Sequence, residues 1–329
     1  MGTIRIIVSD DRYAGNYEIE RGVLAAAGME LRLLSEESET CFLREAEEAD
    51  GILVNLRKID ASVIRRLGKC RILSRYGVGY DNVDLEAAAA AGIWVSNVPD
   101  YSKEEVSDQA TALLLACARL VVYKDKSIRA GRWDDFGGQR VNRIAGSTLG
   151  LIGYGRTARR LHEKLVGFNF ARVLVYDPYV DERTIADRGG EKCDLHDLLA
   201  RADFVSVHPP LTSETRHLLG EKEFGLMKPN AILVNTSRGP VLDQAALCAA
   251  LLARKIRAAG LDVYEQEPLP VDSPLRTMDN VVLSDHCSYY SEESIVELKE
   301  KAARNIVAAF RDGRPTYPVN DVRAPRGGR

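Results

Sequence analysis

At 329 residues, 45% of them hydrophobic and 28% charged, the chain has the length of two ordinary domains and a globular composition, which excludes a wholly disordered chain or a fibrous repeat. Lys and Arg number 45 against 48 Asp and Glu, so a net charge of -3 offers none of the basic surplus that nucleic acid calls for. No stretch approaches the roughly 18 apolar residues of a membrane helix, and the most apolar run, 110–122, is broken by Arg119.

The chain opens on Ile4-Arg5-Ile6-Ile7-Val8, a strand pattern with no secretory signal ahead of it. Further strands are predicted at 31–34, 52–56, 72–74 and 93–95, with helices at 18–27, 39–48, 61–67 and 85–90 between them. Such alternation predicts a parallel sheet covered by helices on both faces. A second series begins after Pro99 with a long helix over 103–122, for which Ser102 is the N-cap and Glu105 completes a capping box. Strands follow at 149–152, 173–176, 204–207, 232–235, 259–263 and 281–283, with helices at 156–165, 195–199 and 244–252. Six strands in this order suit a dinucleotide-binding sheet.

A last helix, 292–311, has no further strand to serve and is expected to cross back to the first domain. The first domain is then 1–101 plus 290–329 and the second 102–289. Residues 313–329, rich in Pro, Gly and Arg, read as a loose tail. The fold class that follows is α/β with two doubly wound parallel sheets, the first domain flavodoxin-like and the second Rossmann. Six cysteines (41, 70, 117, 193, 248 and 287) are scattered without a CxxC pair, which predicts free thiols in a reducing compartment, the cytoplasm. The five histidines have no metal-ligand spacing, so no metal is expected.

Gly153-Tyr-Gly155-Arg156-Thr157-Ala158 fits G-x-G-x-x-A. With 26 glycines, about two G-x-G pairs arise by chance, and two occur (Gly77/Gly79 and Gly153/Gly155), so context carries the signal. A strand precedes the second pair and a helix follows it. Gly153 permits the tight turn, and Gly155 lets the backbone approach a pyrophosphate at the helix N-terminus. Asp177 ends the next strand, 24 residues after Gly153, near the spacing of the acid that bonds an adenosine ribose. A negative charge there favours NAD over NADP.

Arg238, in Thr236-Ser237-Arg238-Gly239-Pro240, follows a strand and faces the crevice where α/β folds bind ligands, with a fork suited to a carboxylate. Asp262 and Glu267 follow the next strand and His286 the last one. A His beside a carboxylate is a better-held proton donor, because the anion stabilises imidazolium.

These runs together resemble the NAD-dependent D-2-hydroxyacid dehydrogenases over essentially the whole chain. Arg75-Tyr-Gly77-Val-Gly79-Tyr-Asp81-Asn82-Val-Asp84, the Gly153 turn, Val207-His208-Pro209-Pro210-Leu211-Thr212 with Thr215, Ser237-Arg238-Gly239, Glu267-Pro268 and His286 occur in that family's order. The stretch 97–106 and Tyr289-Tyr290-Ser291-Glu292 look closest to its phosphoglycerate dehydrogenase-like branch, the part resembling C-terminal-binding protein.

The resemblance implies hydride exchange between NAD and a small 2-hydroxy or 2-oxo acid of D configuration. The first domain would take substrate and the second NAD. His286 would be the acid/base, Glu267 its partner, and Arg238 the holder of the substrate carboxylate and carbonyl. Gly153, Gly155, Arg156, Thr157 and Asp177 would bind the nucleotide, and His208, Pro209, Thr215, Thr236 and Ser237 would line its cleft. Asp262 would hold the nicotinamide carboxamide. Tyr76, Gly77, Val78 and Gly79 would offer backbone N–H groups to the substrate, and Tyr289 an aromatic wall. The family is usually a homodimer joined through its cofactor domains, and neither nucleic acid nor membrane is implied as a partner.

Two other readings stay open: a dinucleotide-sensing interaction protein with little turnover, and a dehydrogenase of an unusual acid such as a phosphonate. The chain departs from the family at Asp285, where Pro is usual, and at Cys287 and Ser288, where small residues are. Asp285 either points inward, raising the His286 pKa, or faces solvent. Trp133 and Phe136 look too apolar for a free loop, which leaves burial against a second subunit or packing on their own domain.

Overall fold

A computed structural model describes residues 3–133 and 136–326. The chain forms two compact units, Met1–Ser102 with Ser291–Arg329 and Lys103–Tyr290.

The first unit has five parallel strands, β1 (Ile4–Val8), β2 (Met29–Arg32), β3 (Gly51–Val54), β4 (Ile72–Arg75) and β5 (Trp94–Ser96), in the order β2-β1-β3-β4-β5. Helices α1 (Glu18–Ala26), α2 (Glu39–Glu48), α3 (Ala61–Ile64) and α4 (Leu85–Ala90) connect them. β3 is buried along its whole length, as a strand covered on both faces must be. β2 alternates buried and exposed residues and begins two residues before its predicted start. Gly28, at φ +74°, turns the chain directly out of α1, so pairing starts at Met29. β3 ends two residues early because Asp10 captures the Leu56 and Arg57 N–H groups, drawing them off the ladder.

The second unit begins with α5 (Lys103–Arg119), which stops short of its predicted end. Leu120 takes a left-handed conformation at φ +56°, and α6 (Val121–Arg129) restarts at 60° to α5. The sheet strands are β6 (Thr148–Ile152), β7 (Arg172–Tyr176), β8 (Glu191–Lys192), β9 (Phe204–Val207), β10 (Ile232–Asn235), β11 (Ala258–Leu261) and β12 (Val281–Leu283). Their order is β12-β11-β10-β9-β6-β7-β8, all parallel. The seventh strand, β8, escaped the sequence reading because two polar edge residues carry no apolar signal. The intervening helices are α7 (Arg156–Leu165), α8 (Glu182–Ala186), α9 (Leu195–Arg201), α10 (Glu221–Leu226) and α11 (Gln244–Leu252).

One cluster, including Leu198, Leu199, Phe224 and Leu247, covers one face of this sheet, and Leu113, Leu114, Tyr154 and Leu161 cover the other. Each such fully buried apolar side chain stabilises by about 2 kcal/mol. The order reverses at β6, so ligands are expected outside the carboxyl ends of β6 and β9.

The final helix, α12 (Glu292–Arg311), belongs to the first unit and packs on α1 and β4. The segment after it is not the loose tail that its composition predicts. Val319 N–H bonds to Val95, Asn97 N–H to Tyr317 and Arg326 N–H to Gly92, while Val322 is buried. β5 is a sheet edge with unpaired backbone groups, and this segment satisfies them. Residues 327–329 lie outside the described residues.

Among the described residues no single helix is long and apolar enough to cross a membrane, no group of three or more His, Cys, Asp or Glu could hold a metal ion, and all six cysteines are free thiols.

Candidate active site

The β6–α7 turn is built around two glycines with different duties. Gly153 adopts φ +79°, and a Cβ there would lie 2.8 Å from the Pro209 nitrogen, so the 208–209 segment packs on bare backbone. Gly155 caps the ten-residue helix α7, and a Cβ on it would meet nothing within 4 Å. That open space lies where the first-turn N–H groups of Arg156 and Thr157 have no intrahelical acceptor. Such a helix end suits a phosphate, so the residues present fit a dinucleotide. Ala158 is fully buried and lets α7 lie close to the sheet.

Asp177 follows β7 and is tied to the same turn. One carboxylate oxygen accepts from Tyr154 N–H at 2.7 Å, and the other from the Tyr179 and Val180 N–H groups at 2.9 and 3.1 Å. The acid therefore braces the glycine turn as well as standing at the strand end.

His208 follows β9, with its Nε2 2.8 Å from the Ser206 hydroxyl. Burial pushes its pKa down to about 4 from an ordinary 6.5, so the ring is neutral at physiological pH. An unfolded chain binds a proton near 6.5 and the native chain only near 4. The unfolded state therefore holds more protons between these values, and stability falls as the pH is lowered through that window. Unfolding free energy is expected to drop by up to about 1.4 kcal/mol per pH unit there. Urea titrations from pH 7 to 4 would show this slope, reduced in His208→Asn.

Thr215, expected to line the nucleotide cleft, uses its hydroxyl inside its own loop. It donates to the Pro210 carbonyl at 2.6 Å and accepts from Thr212 N–H at 2.7 Å. It shapes the 210–215 loop.

After β10 the organising residue is Asn235, which is fully buried. Its Oδ1 accepts from the Ser237 N–H and hydroxyl at 3.0 and 2.9 Å, and its Nδ2 donates to the Arg238 carbonyl at 3.0 Å. The sequence reading passed over Asn235; the signal was an amide closing an otherwise apolar strand, which needs partners once buried. The Thr236 hydroxyl is buried and has no hydrogen-bond partner among the described residues, which leaves it able to meet a ligand. Gly239 is obligatory, because a Cβ would overlap the Tyr264 carbonyl. This contact presses the Arg238 turn against the loop that carries Glu267.

The Glu267–Pro268 peptide is cis. Glu267 Oε1 accepts from Tyr264 N–H at 2.9 Å, and Oε2 lies 2.6 Å from His286 Nδ1. Burial opposes ionisation of Glu267. The bond to His286, the His286 charge, the Tyr264 N–H and the Arg238 charge together outweigh it and hold the carboxyl below its usual range. Arg238, Glu267 and His286 thus come together in the second unit. His286 itself adopts φ +57°, and its N–H bonds to the Asp262 carbonyl at 2.8 Å.

Asp262, expected to hold a carboxamide, has another task. It is fully buried, and its two oxygens take the Ser284 hydroxyl at 2.6 Å, the Cys287 and Ser288 N–H groups at 3.1 Å each, and the Ser288 hydroxyl. With the Cys287 thiol also 3.8 Å from Oδ1, its acceptor capacity is filled by the loop that presents His286. Asp285 faces solvent, which resolves its orientation, and Tyr289 is half-buried three residues beyond His286.

In the first unit the loop after β4 carries the other expected residues. Tyr76 is not available to a ligand: its N–H bonds to Val54, its hydroxyl donates to Glu20 at 2.8 Å and its ring is buried. Tyr76 still extends the sheet and so has no free backbone donor. The N–H groups of Gly77, Val78 and Gly79 bond to no group among the described residues. Gly77 has φ +132°, and the Arg75 guanidinium occupies the space a Cβ would need.

A family model, D-isomer specific 2-hydroxyacid dehydrogenase, NAD binding domain, matches residues 111–288. A glyoxylate reductase of Korarchaeum cryptofilum is 41% identical over 287 residues, 86% of each chain. A D-3-phosphoglycerate dehydrogenase of Methanocaldococcus jannaschii is 40% identical over 268 residues, 81% of this chain but only 50% of that protein. The solved glyoxylate reductase of Paecilomyes thermophila superposes with a TM-score of 0.88 at 27% identity, covering 97% of this chain and 99% of its own. With the nucleotide turn, the filled strand ends and the His–Glu pair in the same order, the chain belongs to the D-2-hydroxyacid dehydrogenases, in the branch with phosphoglycerate dehydrogenase: an oxidoreductase that uses a nicotinamide dinucleotide on small hydroxy or oxo acids.

Proposed function

We propose that this chain reduces a short 2-oxo acid that carries no charge besides its carboxylate, with glyoxylate the smallest candidate, using NADH in preference to NADPH. The observation that carries the reading is the 2.6 Å contact between His286 Nδ1 and Glu267 Oε2. With Nδ1–H donated to the carboxylate, Nε2 is the ring atom left to hand a proton to a substrate oxygen. Glu267 keeps the ring oriented. Arg238 supplies a permanent charge and a planar fork for the carbonyl and carboxylate of the acid. In the first unit, the amides of Gly77, Val78 and Gly79 are free to receive a substrate carboxylate. Asp262 and Asn235 fix the loops that carry His286 and Arg238.

Gly153, Gly155, Arg156 and Thr157 would hold the pyrophosphate, with His208, Pro209, Thr236 and Ser237 along the nucleotide. When bound, the nicotinamide supplies the hydride that the protein has no group to provide. The Asp177 charge disfavours a 2′-phosphate and supports the preference for NADH. Substrate choice follows the names of the glyoxylate reductases among the relatives.

A homodimer in the cytoplasm completes the proposal. Six thiols without a disulfide suit a reducing compartment. Val121, Ile128, Trp133 and Phe136 are exposed, Trp133 to 80%, with the Lys124 ammonium over the Phe136 ring. A second copy of the chain is the proposed cover; residues 134 and 135 of this segment lie outside the described residues.

Steady-state assays of NADH oxidation across glyoxylate, pyruvate, hydroxypyruvate and 3-phosphohydroxypyruvate test the reading. Turnover on the three acids without a phosphate supports it. Tight NADH binding without turnover on any of them would favour the dinucleotide-sensing alternative.

A further inference from the structure

The first unit buries an acid that the site above does not use. Glu20, in the first turn of α1, is fully buried. One of its oxygens accepts the Tyr76 hydroxyl at 2.8 Å, while the other is buried and makes no hydrogen bond among the described residues. An apolar residue would fill this place between α1, α12 and β4 more cheaply, since an unsatisfied buried oxygen costs stability.

The surroundings are equally polar. Lys299 of α12, itself buried, donates to the Asn16 carbonyl at 2.6 Å and lies 4.1 Å from the Tyr13 ring centroid. Tyr13 meets the Tyr17 and Tyr76 rings edge-on, each at 5.7 Å, and the Tyr17 hydroxyl donates to Asp11 at 3.0 Å. Polar groups from α1, α12 and the loop after β1 therefore converge on the residue that immediately precedes Gly77.

We infer that Glu20 is a positioning residue, which holds Tyr76 by its hydroxyl and so sets the direction in which the Gly77, Val78 and Gly79 amides point. The inference rests on the reading that these amides receive the substrate carboxylate. Tyr76 is fixed at both ends, its N–H by β3 and its hydroxyl by Glu20, so the chain leaves β4 in one direction only. Gly77, at φ +132°, has no side chain to hold the turn itself. The long lever of a tyrosine anchored in the core supplies that restraint. Burial raises the Glu20 pKa against the pull of its own backbone N–H, the Tyr76 bond, Lys299 and Arg21. Glutamine keeps an acceptor for the Tyr76 hydroxyl at nearly the same volume and is the conservative replacement.

Glu20→Leu, Tyr76→Phe and Glu20→Gln decide the matter through three readouts: KM against kcat for glyoxylate, NADH affinity, and hydrogen exchange at the amides of residues 77–79. Glu20→Leu and Tyr76→Phe are expected to raise KM by about tenfold, the loss of roughly one well-aligned hydrogen bond. Their kcat and NADH affinity stay within about twofold, and exchange at 77–79 accelerates. Glu20→Gln stays near wild type on all three.

Tyr76→Phe removes one oxygen and keeps the packing, so it remains informative should Glu20→Leu fail to fold. A folded Tyr76→Phe with wild-type KM, or with kcat and KM falling together, would overturn the inference, as would unchanged exchange. Should the wild type reduce no 2-oxo acid, the functional reading fails, and the exchange comparison still decides whether Glu20 orders the loop.

Discussion

His286→Ala is expected to lower kcat for 2-oxo acid reduction by about 10²-fold or more while NADH still binds with wild-type affinity. The split follows from where the residue stands. His286 follows β12 and touches Glu267, whereas the nucleotide turn lies after β6 and shares no side chain with it. Removing the imidazole deletes the proton donor and leaves Glu267 without its largest stabilising partner. The Glu267 carboxyl then titrates higher, because burial is no longer offset by the ring's hydrogen bond and charge. Rapid-mixing kinetics with fluorescence titration of NADH separate the two effects. Loss of nucleotide binding in a folded His286→Ala would remove His286 from the role assigned to it.

Arg238→Gln is expected to reduce kcat/KM by about 10²- to 10³-fold, the usual consequence of deleting a charged donor aimed at developing negative charge. A second effect accompanies it. Arg238 is among the charges holding the Glu267 carboxyl low, so its removal lets that carboxyl rise. The acid limb of the kcat/KM profile should then move to higher pH. A variant that lost affinity with no change in the pH profile would place Arg238 farther from Glu267 than the present geometry does. Glutamine keeps a donor and much of the volume, so gross collapse of the Asn235-braced turn is not the expected cause.

Most strands were legible because parallel sheets covered on both faces bury continuous apolar runs; Phe204–Val207 and Ile232–Asn235 have the bounds their patterns predict. The misses share a cause, which is tertiary pairing overriding local pattern. β8 is two polar residues recruited to an edge. The helix break at Leu120 has no Gly or Pro to announce it. The segment after α12 looks disordered by composition, yet the open edge of β5 gives it a place.

Residues of the site divide in the same way. The meeting of Glu267 and His286 follows the pattern of polar groups placed after successive strands. The tasks of Asp262, Tyr76 and Thr215 were not legible, because a sequence shows which atoms a side chain has but not which of them the chain itself will use. Asp262 is filled by donors 22 to 26 residues away, and Tyr76 by an acid 56 residues away. Asn235 and Glu20 went unnoticed for the opposite reason: their importance comes from burial, which composition does not register.

On the proposed reading, hydride passes to the 2-carbon of a small oxo acid at the place marked by Arg238, Glu267 and His286. Incubating the protein with glyoxylate and NADH carrying deuterium at both C4 positions, then reading the product by mass spectrometry, follows the hydride itself. The expected result is glycolate carrying deuterium at C2, formed by the wild type and strongly slowed in His286→Ala. Unlabelled product, no product at all, or labelled glycolate made equally fast by His286→Ala would contradict the account.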